Sequence, residues 1–373
     1  MMKKLLFLVN VDWFFISHRL PIALAAQNSG YEVHIACSFT DKFDFLHQLG
    51  FKLHPLELSR TSTKLMSEMV AFTNVFNVLR TVKPDLVHLV TIKPVIYGGI
   101  ASRILGIRNR VASISGLGYV FIATGVKAAL MKAGVSMLYR FALKGNHSKV
   151  IFQNPDDMQQ LININAICSK QVVMIRGSGV DLRSFPFLPE PEGIPVIMLM
   201  ARLLIDKGVM EFVEAAKILK NQGIKCRSVL VGCTDENPKS VSIALLNTWI
   251  SEGIVEYWGF SNNPAETYCQ ANVAVLPSYR EGLPKSLIEA AACGRAVITT
   301  DVPGCRDAIS PGVTGILVPV KDAKSLAAAI STLCENSQLR KQLGSAGRKL
   351  AEDEFDIQSV INAHLSIYED LLR

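Results

Sequence analysis

Short apolar runs alternate with segments of helical spacing along the first half of the chain. The runs have the length and branched side chains of buried strands, and the segments between them repeat apolar residues every three or four positions. Predicted strands span 4–10, 32–37, 85–90, 110–115 and 149–154, and predicted helices span 21–29, 64–82 and 94–105. This alternation predicts a parallel sheet wrapped by helices.

The second half repeats the alternation after a break at 183–195, where four prolines sustain neither helix nor strand. Predicted strands span 195–201, 227–232, 255–260, 273–277 and 296–300, and predicted helices span 209–221, 241–252 and 284–293. The fold class is therefore α/β, with two tandem Rossmann-like doubly wound domains. Such domains are expected to face a central cleft, because ligands bind at the carboxyl ends of their strands.

The predicted domain organisation follows from the break and from the end of the alternation. It consists of a first Rossmann-like domain at 1–182, a linker at 183–195, a second Rossmann-like domain at 196–356 and a C-terminal helix at 357–373. The last helix has apolar positions at helical spacing but no following strand to cover. We expect it to pack back on the first domain.

Composition favours a globular protein of the reducing cytoplasm. The 373 residues are 49% hydrophobic, which is enough for two cores. Eight scattered cysteines form no C-x-x-C or Cys/His cluster, so neither a disulfide framework nor a zinc site is indicated. The apolar start of the chain is interrupted at Asn10 and Asp12, which favours a first strand over a signal peptide. No apolar run reaches the roughly 18 residues of a membrane span.

The net charge of +7 is concentrated in the first half. Residues 1–181 carry 20 Lys and Arg against 10 Asp and Glu, whereas residues 182–373 carry 19 against 22. A basic half attracts phosphate-bearing partners such as anionic lipid, a lipid diphosphate or nucleic acid. Nucleic acid is set aside, because the chain has no zinc-finger or RNA-binding motif.

The segment 124–149 is predicted to form an amphipathic helix. At helical spacing one side carries apolar residues, namely Leu130, Met131, Val135, Met137, Leu138 and Phe141, and the other side carries Lys132, Arg140 and Lys144. One interpretation is an ordinary core-facing helix with a solvated face. The other is a helix on the inner face of the membrane, favoured by the local excess of cations.

Two acids flank a Gly-Leu-Pro turn in the second half. Glu281 follows the strand 273–277, and Glu289 lies inside the helix predicted to open at Pro284. Glutamates near a helix start are often only charges that complement the helix dipole. Apolar neighbours leave Glu289 little solvated surface, however, so its carboxylate needs a partner. A helical path would separate the acids by roughly 12 Å, beyond the roughly 5 to 9.5 Å of a glycosidase pair, which suits one elongated ligand.

Arg202 and Lys207 lie in ARLLIDKG, where the strand 195–201 passes into the helix 209–221. Helix N–H groups and the helix dipole favour anions at such a crossover. A diphosphate would be held there by the guanidinium fork and by the ammonium charge. A lone Arg and Lys pair usually lies on the surface in contact with solvent only. This pair, however, follows a strand of the same strand-and-helix repeat in which the two acids also follow a strand.

The segments ARLLIDKG and LPSYREGLPKSLIEAAACGRAVITTDVPG resemble glycosyltransferase family 4, whose members share an R-L-x-x-x-K-G loop and an E-x7-E element beginning E-G-x-P. IRGSGVDLRSF is similar to the family's G-V-D segment, so the likeness covers the second half well. The looser first half carries FFISHRLPIALA, DLVHLVTIKP and ISGLGYVF. These segments resemble bacterial members that extend lipid-linked oligosaccharides for surface polysaccharide, such as lipopolysaccharide or capsule, or for protein glycosylation.

The resemblance implies a retaining hexosyl- or N-acetylhexosaminyltransferase of GT-B architecture. It would use a nucleotide-sugar, most often a UDP-sugar, bound by the domain at 196–356, and a polyprenyl-diphosphate-linked saccharide acceptor, bound by the domain at 1–182. By the family pattern, the catalytic residues are Glu281, Arg202 and Lys207, with the two cations on the donor diphosphate. Donor-binding residues, which surround the sugar, ribose and base, are Gly282, Leu283, Pro284, Glu289 and Phe260. Two cations can neutralise the leaving phosphate and no D-x-D is present, so neither a metal nor another cofactor is expected.

The first half departs from the family pattern at the acceptor cleft. Many members carry a His at the end of a first-domain strand near the reacting sugar, whereas here SISGLG supplies Ser115 and Gly116. The acceptor-cleft candidates are therefore Ser115, Gly116 and His18, with the strand residue His88 as a weaker substitute. A lone His is more often structural.

Three other functions fit two α/β domains. An NAD-dependent oxidoreductase would need G-x-G-x-x-G after the first strand, and NVDWFFISHRLP contains no glycine. A solute-binding protein would need an export signal. A sugar-nucleotide epimerase remains the nearest alternative, and it would release a free sugar and UDP without an acceptor.

Overall fold

The computed structural model describes residues 2–58, 65–117, 125–234 and 237–373, without the side chains of 65 and 126–128. Its contacts divide the chain into two compact units. Unit 1 comprises residues 1–178 and 358–373, and unit 2 comprises 179–357.

Unit 1 is built on a parallel sheet of seven strands. Its strands are β1 (Lys4–Val11), β2 (Glu32–Ser38), β3 (Lys52–Pro55), β4 (Leu86–Val90), β5 (Arg110–Ile114), β6 (Ser148–Phe152) and β7 (Val172–Met174). Its helices are α1 (Asp12–His18), α2 (Leu20–Asn28), α3 (Phe43–Gln48), α4 (Leu65–Val82), α5 (Ile92–Ile104), α6 (Val126–Leu143) and α7 (Pro155–Asn163). The strand order is β3-β2-β1-β4-β5-β6-β7.

Unit 2 repeats the plan with six parallel strands in the order β10-β9-β8-β11-β12-β13. Its strands are β8 (Val196–Met200), β9 (Arg227–Val231), β10 (Glu256–Tyr257), β11 (Val273–Leu276), β12 (Ala296–Thr300) and β13 (Gly315–Val318). Its helices are α8 (Val209–Asn221), α9 (Ile243–Ser251), α10 (Pro264–Cys269), α11 (Lys285–Ala292), α12 (Ala323–Glu335) and α13 (Ser337–Glu354), and α14 (Ile357–Leu372) returns to unit 1.

Both sheets are doubly wound, as predicted. In each unit the strand order reverses between the first strand and the fourth, β1 and β4 in unit 1 and β8 and β11 in unit 2. Loops that leave the carboxyl ends of such neighbouring strands diverge to opposite faces of the sheet and leave a crevice between them. The topology therefore marks one ligand-binding edge in each unit.

The proline-rich segment predicted as a linker at 183–195 lies in unit 2, because buried arginines hold its backbone and its acid. The guanidinium of Arg295 donates to the carbonyls of Leu188 and Pro189. Arg340 Nε donates to Glu190 at 2.9 Å. The division between the units falls before this segment, between Ser178 and Gly179.

Helix α14 lies in unit 1, where it covers a buried histidine of β4. His88 contacts the Tyr368 hydroxyl at 2.6 Å and the Ser113 hydroxyl at 2.7 Å. Burial, with the charges of neighbouring His364 and Arg19, keeps the pKa of His88 well below its usual value. His88 thus has a structural environment.

Helix α6 does not follow the core-facing interpretation of its sequence. Its core contacts are made by Tyr139, Ala142 and Leu143, which are buried. Five of the six apolar residues on the predicted stripe are exposed instead: Leu130 (71%), Met131, Met137 (64%), Leu138 and Phe141. Helical spacing thus identifies an apolar stripe, but the face that meets the core carries Tyr139, Ala142 and Leu143 instead.

Candidate active site

The loop after β8 carries Arg202 and Lys207, and a glycine fixes its path. Residues 205–207 form a 3-10 turn, and Gly208 (φ +73°) is the N-cap of α8. A Cβ at Gly208 would overlap the Pro277 carbonyl. Glycine is therefore required both by the left-handed backbone and by the close approach of the segment after β11. This packing brings Lys207 to the strand-order reversal of unit 2.

Lys207 and Glu281 meet at that edge. Lys207 Nζ lies 2.5 Å from Glu281 Oε1, and the Ser278 hydroxyl donates to the same carboxylate oxygen at 2.7 Å. The Glu281 N–H donates to the Pro303 carbonyl at 3.1 Å, which holds the acid against the segment after β12. The structure thus joins two predicted site residues directly, and it adds Ser278, which the sequence analysis missed although it lies three residues before the acid.

A second glycine fixes the Glu281 turn. Gly304 has φ +81°, and a Cβ there would overlap the carbonyls of Glu281 and Gly282. Behind the turn lies Cys305, fully buried, where burial and the Glu281 charge raise the pKa of the thiol to about 12. The thiol is therefore neutral and fills space under the carboxylate. The predicted donor-binding residues Gly282, Leu283 and Pro284 are also buried in this turn.

Glu289 projects from α11 and is only 7% exposed. Its Oε1 lies 3.3 Å from Lys285 Nζ, one helical turn earlier. Burial raises the pKa of Glu289, and Lys285 offsets part of that rise. The helix begins at Lys285, with Pro284 as its N-cap, so residues 281–284 are not helical. The separation estimated for a continuous helix therefore does not describe the two acids.

Arg202 and Phe260 lie on loops that the structure brings side by side. The Gly232 N–H donates to the Gly259 carbonyl at 2.8 Å, which ties the Phe260 loop to the end of β9. A Cβ at Gly232 would in turn overlap the Ala201 carbonyl, directly before Arg202. Arg202 is half-buried, whereas the Phe260 ring is 66% exposed.

The acceptor-cleft candidates lie at the carboxyl edge of the unit 1 sheet but on different strands. The His18 ring, on α1 after β1, stacks on Phe14 with centroids 4.0 Å apart. Ser115 and Gly116 follow β5, and β4 lies between β1 and β5. The structure therefore does not place His18 and the Ser115–Gly116 pair on neighbouring strands.

The same edge holds three buried polar atoms, and of the residues that carry them the sequence analysis proposed only Ser115 as a site residue. Asn10 Oδ1, Thr91 Oγ1 and Ser115 Oγ, at the ends of β1, β4 and β5, have no hydrogen-bond partner within the described residues. Thr91 also has φ +76°, which is strained for a branched side chain. A positive φ is not visible in a sequence when a residue other than Gly adopts it.

Two kinds of feature were searched for in the part of the chain that the structure describes. Within it, no group of three or more His, Cys, Asp or Glu side chains could hold a metal ion. No described helix combines the length and hydropathy needed to cross a bilayer.

Family models match both halves of the chain. The model for "Glycosyl transferases group 1" matches residues 182–350, and the model for "Glycosyl transferase 4-like" matches residues 4–154. A Campylobacter jejuni protein is 31% identical over 370 residues, covering 95% of each chain. It is named N,N'-diacetylbacillosaminyl-diphospho-undecaprenol alpha-1,3-N-acetylgalactosaminyltransferase.

Solved structures share the whole fold at low sequence identity. A sucrose-phosphate synthase from Thermosynechococcus elongatus superposes with a TM-score of 0.81 at 20% identity and 99% coverage of both chains. The Anabaena HepE protein, crystallised in complex with UDP and glucose, superposes with a TM-score of 0.77 at 18% identity, covering 99% of this chain and all of HepE.

Proposed function

This chain belongs to the group 1 glycosyl transferases, and on that basis we propose which sugar donor and which acceptor it uses. In the proposed reaction it moves a sugar from a UDP-sugar to a polyprenyl-diphosphate-linked saccharide. The resemblance to glycosyltransferase family 4 stated from its motifs is confirmed. A UDP-sugar is supported by HepE, crystallised with UDP and glucose. The acceptor class is supported by the name of the Campylobacter relative, and the sugar would be a hexose or an N-acetylhexosamine.

The observation that carries the proposal is the contact between Lys207 and Glu281 at the carboxyl edge of the unit 2 sheet. Glu281 and Ser278 hold the ammonium in place before a donor arrives, so little reorganisation is needed when negative charge develops nearby. Lys207 and Arg202 would then stabilise the departing UDP phosphate. Because protein cations would neutralise the leaving group, the proposed reaction needs no metal.

The transfer step itself would run on one face of the sugar. The bond between the anomeric carbon and the phosphate oxygen breaks, and the acceptor hydroxyl oxygen bonds to the same face of that carbon. The hydroxyl proton passes to the departing phosphate oxygen, which balances the charge. Configuration at the anomeric carbon would be retained.

The remaining donor contacts follow from the two acids and the turn between them. Glu289, held by Lys285 at 3.3 Å, would accept the ribose hydroxyls. The N–H groups of Gly282 and Leu283 would face the sugar or the phosphate, and the exposed ring of Phe260 would lie against the base. In unit 1, His18, Ser115 and Gly116 would line the acceptor site.

Helix α6 supports a position at the inner, cytoplasmic face of the membrane. Leu130, Met137 and Phe141 expose apolar surface on it, and Arg140 and Lys144 are exposed at its C-terminal end. Apolar residues flanked by cations suit the boundary between headgroups and acyl chains of an anionic bilayer. A lipid-linked acceptor would be presented at that surface.

A thermal-shift panel of UDP, GDP and ADP, each free and joined to a sugar, tests the donor. A ligand at about 100 times its dissociation constant stabilises the folded protein by roughly 2.7 kcal/mol. We expect UDP and UDP-sugars to raise the melting temperature and GDP and ADP to have little effect. A panel in which no nucleotide or nucleotide-sugar shifts the melting temperature would overturn the proposed function.

A further inference from the structure

Unit 1 contains an open pocket of about 660 Å³ at the carboxyl ends of β2 and β3. Its walls are the ends of those strands and one face of α4, and its lining residues are Ser38, Phe39, Pro55, Leu56, Glu57, Asn74, Asn77 and Val78. The volume falls within the roughly 300–1,000 Å³ of small-molecule sites. None of these residues belongs to the predicted donor or acceptor sites.

Three polar side chains in this pocket are available to a ligand. Asn74 and Asn77 lie nearly one helical turn apart on α4, and Glu57 faces them from the end of β3. No hydrogen bond joins the side chain of any of the three to another group in the described part of the chain. Two amides and a carboxylate offer both donors and acceptors, which is what sugar hydroxyls require.

The floor of the pocket is fixed by hydrogen bonds. The Ser38 hydroxyl donates to the Leu56 carbonyl at 2.7 Å and accepts the Leu58 N–H at 2.9 Å. The loop that carries Phe39 is held by the buried carboxylate of Asp12, which accepts the Thr40 N–H at 2.6 Å. A floor that is already fixed loses little conformational entropy when the pocket binds a ligand.

Among the lining residues that the structure describes, Glu57 is the one charged side chain, and none is Lys or Arg. These described residues offer an anion a carboxylate and no cation. Phe39, Leu56 and Val78 provide apolar surface beside the amides, and this combination suits the apolar face and hydroxyl rim of a neutral pyranose.

A smaller pocket of about 320 Å³ shares Glu57 and continues toward the start of α5. It is lined by Met66, Val70, Ala71 and Lys93 among others, and Lys93 Nζ lies 2.7 Å from Glu68. Lys93 is two residues after Thr91, at the strand-order reversal of unit 1. The two pockets together therefore reach from the sheet's outer strands to its ligand-binding edge.

We infer that the larger pocket, here called the Asn74 pocket, binds a neutral sugar of the acceptor saccharide, at a distance along that saccharide from the hydroxyl that reacts. The inference rests on the proposed function. The sugar nearest the reaction would lie at the edge marked by Thr91 and Ser115, and a further sugar would occupy the Asn74 pocket. Whether this pocket is occupied would depend on the length of the acceptor saccharide and not on the identity of the donor.

Saturation-transfer difference NMR tests the inference with the methyl glycosides of glucose, galactose, N-acetylglucosamine and N-acetylgalactosamine. Saturating UDP is added so that the donor site does not contribute. We expect at least one glycoside to bind the wild type, and Asn74→Ala with Asn77→Ala to weaken it about tenfold, since two hydrogen bonds are lost. Thr73→Ala, on the exposed side of the same helix, is the matched control and should bind like the wild type.

Two outcomes would overturn the inference: no glycoside binding under UDP, or equal binding by the double variant and the Thr73 control. A misfolded double variant is recognised by its melting temperature, and Glu57→Gln, an exposed and conservative change, then serves instead with the same expected loss of affinity. The proposed function is judged separately by the nucleotide panel. If UDP-sugars stabilise the protein while no glycoside binds, the Asn74 pocket fails and the donor assignment stands.

Discussion

The carboxyl edges of the two sheets have the same topology but different chemistry. In unit 2 four charged residues of the candidate site are already paired, Lys207 with Glu281 and Lys285 with Glu289. In unit 1 Asn10, Thr91 and Ser115 hold buried polar atoms without a partner in the described residues. The paired edge is built to receive a charged ligand with little rearrangement. The unpaired edge leaves hydrogen-bonding groups for a ligand to satisfy.

The two edges also differ in how the residues that form them are distributed along the sequence. The unit 2 edge comes from two short motifs whose glycines force loops into contact, so a linear pattern reveals it. The unit 1 edge is assembled from single residues at the ends of strands that are far apart in sequence. We therefore expect a change in unit 2 to act on the chemical step, and a change in unit 1 to act on where and what the enzyme binds.

The largest expected effect is at Lys207. Lys207→Ala removes the cation held by Glu281, and we expect kcat/KM for transfer to fall about 10²- to 10³-fold, as for other preorganised charge-stabilising groups. Lys217→Ala, a half-buried lysine of α8 that lies 3.9 Å from Glu214, is the control. Near-normal turnover in Lys207→Ala would contradict the assignment of the chemical step to the unit 2 edge.

The second effect concerns the exposed stripe of α6. Leu130→Glu with Met137→Glu should lower partition onto anionic vesicles about tenfold for each side chain, because one buried aliphatic side chain contributes about 1.5 kcal/mol or more. Vesicle flotation measures it, at low and high salt, since attraction to lipid charge is screened. Ile243→Glu, an equally exposed position of unit 2, is the control. Unchanged flotation, or no binding by the wild type, would contradict a membrane role for unit 1.

The third prediction concerns Gly304, which packs against the turn that carries Glu281. Gly304→Ala and Gly312→Ala both place a side chain at positive φ, +81° and +74°, so their backbone strain is similar. Only the first would overlap other atoms, namely the carbonyls of the Glu281 turn, whereas the second has open space. We expect Gly304→Ala to destabilise the protein by about 1–3 kcal/mol more than Gly312→Ala, and to lose more transfer activity. Equal melting temperatures and activities would mean that the turn is not held by this contact.

Much of this architecture could be predicted from the sequence, but its contacts could not. The alternation of strands and helices gave the doubly wound domains, and the comparisons confirm the family. The direct contact between Lys207 and Glu281 was not predicted, because their sequence separation says nothing of distance. The stripe of α6 shows the same limit: periodicity identifies an apolar side, but whether that side meets the core depends on the shape above the sheet. The unpaired hydroxyl of Thr91 accompanies a positive φ, which cannot be predicted from the residue type.

The smallest effect sharpens the comparison through pH, because a buried acid in a paired edge still carries a desolvation penalty. Burial raises the pKa of Glu289 above its ordinary 4.5, with Lys285 opposing. Between 4.5 and that raised pKa the folded protein keeps a proton that the unfolded chain has lost, so the free energy of unfolding falls as pH rises through this window and the penalty persists above it. Glu289→Gln removes the titration, so its melting temperature relative to wild type should rise with pH across the window. Glu252→Gln, at an exposed position, is the control, and we expect no such trend for it. A melting-temperature difference between Glu289→Gln and wild type that does not change with pH would contradict this prediction. It would mean that Glu289 is charged in the folded protein without a desolvation penalty, so that Lys285 compensates its burial fully.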